Sequence, residues 1–264
     1  MTTYKEIRGT NIEAVASDPS NPVEGQVWYN TTTNAVKGFG RSAVSAWSTA
    51  NSSNSFHRNS GAAGTQTAAL TFGGRPSPGP GAATESYNGT NWTEVNDLNQ
   101  ARHYFAGAGT QTAALGFGGY NGGTLYALTE TWNGTNWTEV NDMNTARGRV
   151  SGTGATNTAA LAIGGYPAPL TALVETWNGT NWTAVNNLGT ARYSGAASGT
   201  NTAALMIGGT IAGSGITAVT ELWNGTNWTE VNDLNTARKY LAGCGTQTAA
   251  IVFGSGGPPK AITE

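Results

Sequence analysis

The chain has 264 residues, 13 basic and 15 acidic, for a formal charge of −2, and it carries 38 Gly, 40 Thr and 26 Asn. Charged residues are only 11% of the total, against roughly 25% in an ordinary globular protein, and no Lys/Arg run is present, which excludes nucleic-acid binding through a basic stretch. Nine Trp among regular apolar segments exclude a disordered chain, while one Cys and two His exclude a disulfide framework and a His/Cys metal centre.

From the N-terminus, residues 1–24 match no later part of the chain and read as an arm and linker. Lys5, Glu6, Arg8 and Glu13 interrupt any apolar stretch of the kind a signal peptide needs. Asp18-Pro19-Ser20-Asn21-Pro22 has turn-and-linker composition. No apolar run approaches the roughly 20 residues of a bilayer-spanning helix, so no membrane insertion is expected. Residues 25–264 read as one all-β domain.

Within that domain the phrase Thr-Ala-Ala-(Leu/Ile) begins at Thr67, Thr112, Thr158, Thr202 and Thr248, at spacings of 45, 46, 44 and 46. A second phrase, (Tyr/Trp)-Asn-Gly-Thr-Asn-Trp-Thr, begins at Tyr87, Trp132, Trp177 and Trp223. Arginine recurs at Arg58, Arg102, Arg147, Arg192 and Arg238, and glutamate at Glu85, Glu130, Glu175, Glu221 and Glu264. In the unit from residue 102 to 142, strands are expected at Tyr104–Thr110, Gln111–Phe117, Ala127–Trp132 and Trp137–Val140. Asn133-Gly134 is a hairpin signal between the last two. Four antiparallel strands in about 45 residues are the expected period of a β-propeller blade. The Gly-Gly doublets and Asn-Gly turns argue against a helical solenoid.

The fifth copy ends at Glu264, before its Trp hairpin. Ala35–Phe39 and Ala46–Ala50, with Trp47, are candidates for the missing strands, so the two chain ends are expected to pair in one blade. The segments expected innermost are small-sided, as at Ala106-Gly107-Ala108-Gly109 and Ala242-Gly243-Cys244-Gly245, which suits a narrow axis and makes Cys244 a small buried residue.

These residues resemble the kelch repeat. A Gly-Gly doublet precedes an aromatic pair at Gly73-Gly74 with Tyr87 and Trp92, Gly118-Gly119 with Trp132 and Trp137, Gly164-Gly165 with Trp177 and Trp182, and Gly208-Gly209 with Trp223 and Trp228. The near-identity of the repeats is similar to kelch-like propellers of tailed, marine-type bacteriophage virions. The stretch Gly25-Gln-Val-Trp-Tyr-Asn-Thr-Thr-Thr-Asn34 is similar to a hairpin of phage tail-fibre and structural proteins. The resemblance implies a five-bladed kelch-like propeller closed by its N- and C-terminal strands. It also implies a virion protein, structural or receptor-binding, made in the host cytoplasm and present in several copies per particle. Its partners would be other virion proteins or a host cell-surface glycan or protein. The alternative is a free multivalent carbohydrate-binding lectin.

The recurring Trp92, Trp137, Trp182 and Trp228 could stack sugars, but one aromatic pair per unit is better explained as packing between blades. The Arg and Glu series could form a ligand ring, but once-per-unit polar residues more often bond turn carbonyls or pair with each other, so it reads as structural. The Asn-Asp-Leu-Asn turn at Asn96–Asn99 could offer oxygens to Ca²⁺, but turn chemistry accounts for it without an ion, and no metal or cofactor is expected. His57 and His103 have no nucleophile at a recognisable spacing, so an enzyme is not expected. Binding is assigned to the loops that differ between repeats, among them Arg75–Ala82, Tyr120–Thr124 and Tyr166–Leu170, with Arg75, Tyr120 and Tyr166 as the candidate contacts.

Overall fold

Alternating small and apolar residues bounded by Gly and Asn turns form strands throughout a computed structural model of the chain. It describes residues 2–7, 10–20, 26–38, 50–76, 79–166 and 170–254. Among them no α-helix occurs, only a 3₁₀ turn at Ala212–Ser214. The chain divides into two compact units, Met1–Thr49 and Ala50–Glu264.

The first unit is a sheet of β1 (Thr2–Ile7), β2 (Thr10–Val15), β3 (Val27–Asn30) and β4 (Ala35–Gly38), in that order, with β2 and β3 parallel and the other pairs antiparallel. The segment expected to be a linker thus supplies two of its strands, and the expected boundary at residue 24 lies inside this unit. Thr2, Thr3, Ile7, Thr10, Ile12 and Val15 are the β-branched residues that favour extended backbone there. One carboxylate ties the sheet together. Asp18 accepts from Trp28 Nε1 at 3.0 Å, Asn30 Nδ2 at 2.7 Å and Lys37 Nζ at 2.7 Å. Asn30 Oδ1 caps the turn by accepting from the N–H groups of Thr32 and Thr33.

The second unit repeats one plan. β5 (Gly61–Thr65), β6 (Ala68–Gly74), β7 (Gly81–Tyr87) and β8 (Trp92–Val95) form a four-stranded antiparallel sheet. The next sheet is β9 (Ala106–Gly109), β10 (Ala114–Phe117), β13 (Thr129–Trp132) and β14 (Trp137–Val140), with a small hairpin of β11 (Tyr120–Asn121) and β12 (Thr124–Leu125) inserted. Then come β15 (Ser151–Thr156), β16 (Ala159–Ile163), β17 (Val174–Trp177) and β18 (Trp182–Val185), followed by β19 (Ala196–Gly199), β20 (Ala204–Thr210), β21 (Ile216–Trp223) and β22 (Trp228–Val231). β23 (Ala242–Gly245) and β24 (Ala250–Phe253) pair alone among the described residues. Of the strands expected to complete this last sheet, Ala35–Gly38 pairs along β3 in the first unit. Residues 39–49 and 255–264, with Trp47 and Glu264, lie outside the described residues.

The first strands of the successive sheets, β5, β9, β15, β19 and β23, lie side by side in chain order. Only small residues fit between them: a Cβ on Gly107 would stand 2.4 Å from the Ala62 carbonyl oxygen. The apolar core is distributed between neighbouring sheets. Leu70 and Phe72 of one sheet meet Ala114, Trp132 and Trp137 of the next, and Leu115 and Phe117 meet Ala160, Trp177 and Trp182. The Phe72 and Trp137 rings are 4.7 Å apart, and Phe117 and Trp182 4.9 Å, so these tryptophans fill the space between sheets and cannot stack an outside sugar. Cys244 departs from expectation: it is exposed, whereas Ala108 and Ser198, at the same place in earlier units, are buried. It pairs with Ile251, also exposed, on the face turned away from buried Val252.

Candidate functional site

In three repeats the segment that leads into a sheet is locked to that sheet by a buried ion pair. Arg102 donates to Glu130, Arg147 Nη2 lies 2.8 Å from Glu175, and Arg192 donates to Glu221; all six side chains are enclosed. Arg238 is buried in the same place, and Glu264 lies outside the described residues. In the first repeat the place of the arginine is taken by His57, not Arg58. His57 Nε2 meets Glu85 at 2.9 Å and its Nδ1 meets the Gly73 carbonyl oxygen at 2.9 Å. Arg58 is exposed. The reason is a spacing of one residue: Glu85 stands 28 residues after His57, as Glu130 does after Arg102 and Glu175 after Arg147. Burial works against the Glu85 carboxylate, but N–H donation from Asn54 and Ser55 and the His57 imidazole holds its pKa below the ordinary value.

The Asn-Asp-Leu-Asn turns spend their polar groups within the fold. Asn96 Nδ2 donates to Thr135 O and Asn136 Oδ1 of the next repeat. Asp97 Oδ1 accepts the Thr84 N–H, Leu98 is buried, and Asn99 donates to Glu130. The same bonds recur from Asn141 and Asn144. The Asp97 oxygen therefore already holds a protein donor, and no group of three or more His, Cys, Asp or Glu side chains that could hold a metal ion occurs among the described residues.

The arrangement that gathers chemistry lies at the mouths of the small strands. After each Gly-Gly doublet the chain runs beside the residue that follows the buried Arg or His. His103 and Tyr120 exchange backbone hydrogen bonds at 3.1 and 2.8 Å, Gly148 and Tyr166 at 2.9 and 2.8 Å, and Tyr193 and Thr210 at 3.1 and 2.8 Å. In the first repeat the Arg75 N–H donates to Arg58 O at 2.7 Å. The doublet makes this approach: Gly118 and Gly119 have φ of 73° and 123°, and a Cβ on Gly118 would stand 2.7 Å from Arg147 O.

One residue further on, Asn59, Tyr104, Arg149, Ser194 and Tyr240 all take the left-handed conformation, with φ between 52° and 58°. Such backbone costs a non-glycine residue about 1–2 kcal/mol. Here it is held by a relay of bonds from Tyr104 N to Asn59 O, Arg149 N to Tyr104 O, Ser194 N to Arg149 O and Tyr240 N to Ser194 O. These five residues border a cleft of about 300 Å³.

Beside it opens a hollow of about 470 Å³, whose lining includes Arg75, Tyr120 and Tyr166 together with His103, Tyr104 and Arg149. All three residues expected to bind are thus brought to one hollow. Arg75 and Tyr166 are exposed, Tyr120 half-buried. Arg149 lies over the Tyr104 ring at 4.5 Å and donates to the Tyr240 hydroxyl at 3.0 Å. His103 is 3% exposed, and its Nδ1 is buried with no hydrogen-bond partner. Burial, then the charges of Arg75, Arg149 and Arg58, hold its pKa below the ordinary value, so the imidazole is neutral at neutral pH. His103, Tyr104 and Arg149 do not stand out in the sequence as binding residues. Their signal is positional: the two residues after each in-phase Arg or His are Arg58-Asn59, His103-Tyr104, Gly148-Arg149, Tyr193-Ser194 and Lys239-Tyr240, different in every repeat.

The chain matches no known family model and no curated protein.

Proposed function

We propose that the chain is a recognition or assembly protein of a tailed-phage particle, built on a five-bladed kelch-like propeller whose last blade draws on both chain ends. It acts by surface binding, not by chemistry. The propeller reading is supported by five repeats whose first strands run side by side, with five equivalent left-handed residues bordering one cleft. The phage context rests on the resemblance of the Trp28-Tyr29-Asn30 hairpin and of the near-identical repeats to virion proteins. The observation that carries the binding reading is the convergence of Arg75, Tyr120 and Tyr166, from three different repeats, on one hollow. Variable loops on a repeated scaffold are where recognition side chains sit.

The test is a triple variant, Arg75→Ala, Tyr120→Ala and Tyr166→Ala. None of the three side chains belongs to the buried cores, so stability should stay within about 1 kcal/mol of the parent. Attachment to host cells, or incorporation into particles, should fall. Attachment that survives the triple change but is lost on altering the Asn88–Asn91 and equivalent turns places recognition on the other end of the sheets.

A further inference from the structure

We propose that the hollow beside the axial cleft is a binding site for an acidic saccharide, one carrying a carboxylate or sulfate on a sugar ring. The inference rests on the surface-recognition reading above and names its ligand.

Three observations carry it. The first is charge without a counter-charge. The whole chain has a formal charge of −2, yet Arg75 and Arg149 both line the hollow beside His103, and the Arg75 backbone is bonded to that of Arg58. Among the described residues none of these three arginines forms an ion pair with a carboxylate. The Arg58 and Arg75 backbones are bonded side by side, so two cationic residues share this end of the sheets. Such an arrangement is relieved by a bound anion, and guanidinium is the group that meets carboxylate or sulfate with paired donors.

The second is the orphan polar atom. His103 lines the hollow, and its Nδ1 is buried with no partner in the protein. A buried polar atom left unsatisfied costs about 1–3 kcal/mol, and a ligand hydroxyl or acid oxygen at that spot would satisfy it. His103 is held in place by its two backbone bonds to Tyr120 and by its ring contact with Tyr104 at 4.7 Å, so the atom is pre-positioned.

The third is the shape and chemistry of the walls. Tyr104, Tyr120 and Tyr166 line the hollow, and a tyrosine ring combines an apolar face with a hydroxyl edge. A pyranose has an apolar face of C–H groups and a polar rim, which suits aromatic stacking combined with guanidinium contacts. A hollow of about 470 Å³ falls in the range of small-ligand sites, and it is a pocket, not the long edge an extended acidic peptide would need.

The experiment titrates the full-length protein by calorimetry with four probes: a sulfated galactose oligosaccharide, a uronic-acid oligosaccharide, a neutral galactose oligosaccharide and an acidic decapeptide. At least one of the two acidic sugars should bind, and binding should weaken about tenfold or more in Arg75→Gln. It should also weaken as salt is raised from about 50 to 500 mM. Tyr166→Ala should weaken it as well, while both exposed-residue variants keep the parental melting temperature. Equal binding of neutral and acidic sugars with no effect of Arg75→Gln overturns the acidic assignment and leaves recognition standing. Binding of the peptide in preference to every sugar overturns the saccharide class. If no probe binds while the triple variant still loses host attachment, the saccharide inference fails and the recognition reading survives. If that variant attaches normally, both fail.

Discussion

Arg147 shows what a single residue contributes. Burial alone pushes its guanidinium pKa down, and Glu175 pulls it back up, so the pair is stable only as a pair. Arg147→Met should destabilise the protein by about 3–5 kcal/mol, because it leaves Glu175 charged and enclosed. Arg58→Met should change stability by no more than about 0.5 kcal/mol, since Arg58 is exposed and His57 holds the equivalent carboxylate. Urea unfolding of the two variants checks the assignment, and equal losses would return Arg58 to the series. A second residue-scale test concerns tryptophan N–H groups. Trp137 Nε1 donates to Thr84 Oγ1 at 3.1 Å and Trp182 Nε1 to Thr129 Oγ1 at 2.9 Å. The next repeat has Val174 where those have Thr, and Trp228, packed on the Val174 cluster, has a buried Nε1 with no partner. Val174→Thr should therefore stabilise by about 0.5–1.5 kcal/mol, and Thr129→Val should destabilise by about 1–3 kcal/mol. Opposite signs from the same pair of residue types are the outcome to look for in the melting curves.

At the scale of elements, the outer turns are joints between sheets. Asn141 donates to both Thr180 O and Asn181 Oδ1 of the following repeat, so Asn141→Ala should cost about 1–2 kcal/mol in urea unfolding. Adding Ca²⁺ or a chelator should leave that value unchanged, because the neighbouring Asp142 already accepts the Thr129 N–H. In the first unit the joint is Asp18. The bonds from Lys37, Trp28 and Asn30 lower its pKa from 3.8 to about 2. A depressed carboxylate stabilises above its unfolded pKa and loses that contribution as pH falls toward the folded one. The Trp28 indole N–H resonance should therefore shift between about pH 4 and pH 2, and Asp18→Asn should abolish that transition. How much of this was legible in the sequence follows from the same elements. The 45-residue period, the strand pairs and the Trp hairpins were legible because each repeat satisfies its own alternation and turn chemistry. The inner strand begins at Ala106 and not Tyr104 because Tyr104 turns left-handed to bond Asn59, a contact made 45 residues away. The His57 substitution left one trace, an eleven-residue interval from Trp47 to Arg58 where later repeats have ten. Arg75, Tyr120 and Tyr166 could be singled out in the sequence because the loops after the glycine doublets differ between repeats. His103 and Arg149 could not be placed beside them, since their meeting depends on contacts between successive repeats, such as the Arg149 N–H bond to Tyr104 O.

For the molecule as a whole the decisive question is how the last repeat is completed. Four repeats have four strands, and the fifth has β23 and β24 as its described strands. Cys244 and Ile251 are exposed, whereas Ala108, Thr153 and Ser198 on the inner strands and Leu70, Leu115 and Leu161 on the second strands are buried at the corresponding positions. A strand pair with an uncovered face and edge is a poor end for a stack of sheets, because unpaired N–H and C=O groups and apolar surface remain in contact with water or with other chains. The closure proposed above would remove that edge, and the stability of the repeats without the N-terminal residues tests it. Deleting residues 1–50 spares His57 and every described strand from β5 to β24. If the chain ends close the ring, the truncated protein should nevertheless melt about 5 °C or more below the parent, since a loss of 1 kcal/mol lowers Tm by about 2–4 °C at this size. It should also associate at lower concentration, read by light scattering. An unchanged melting temperature and unchanged association would mean that the chain ends do not close the repeats.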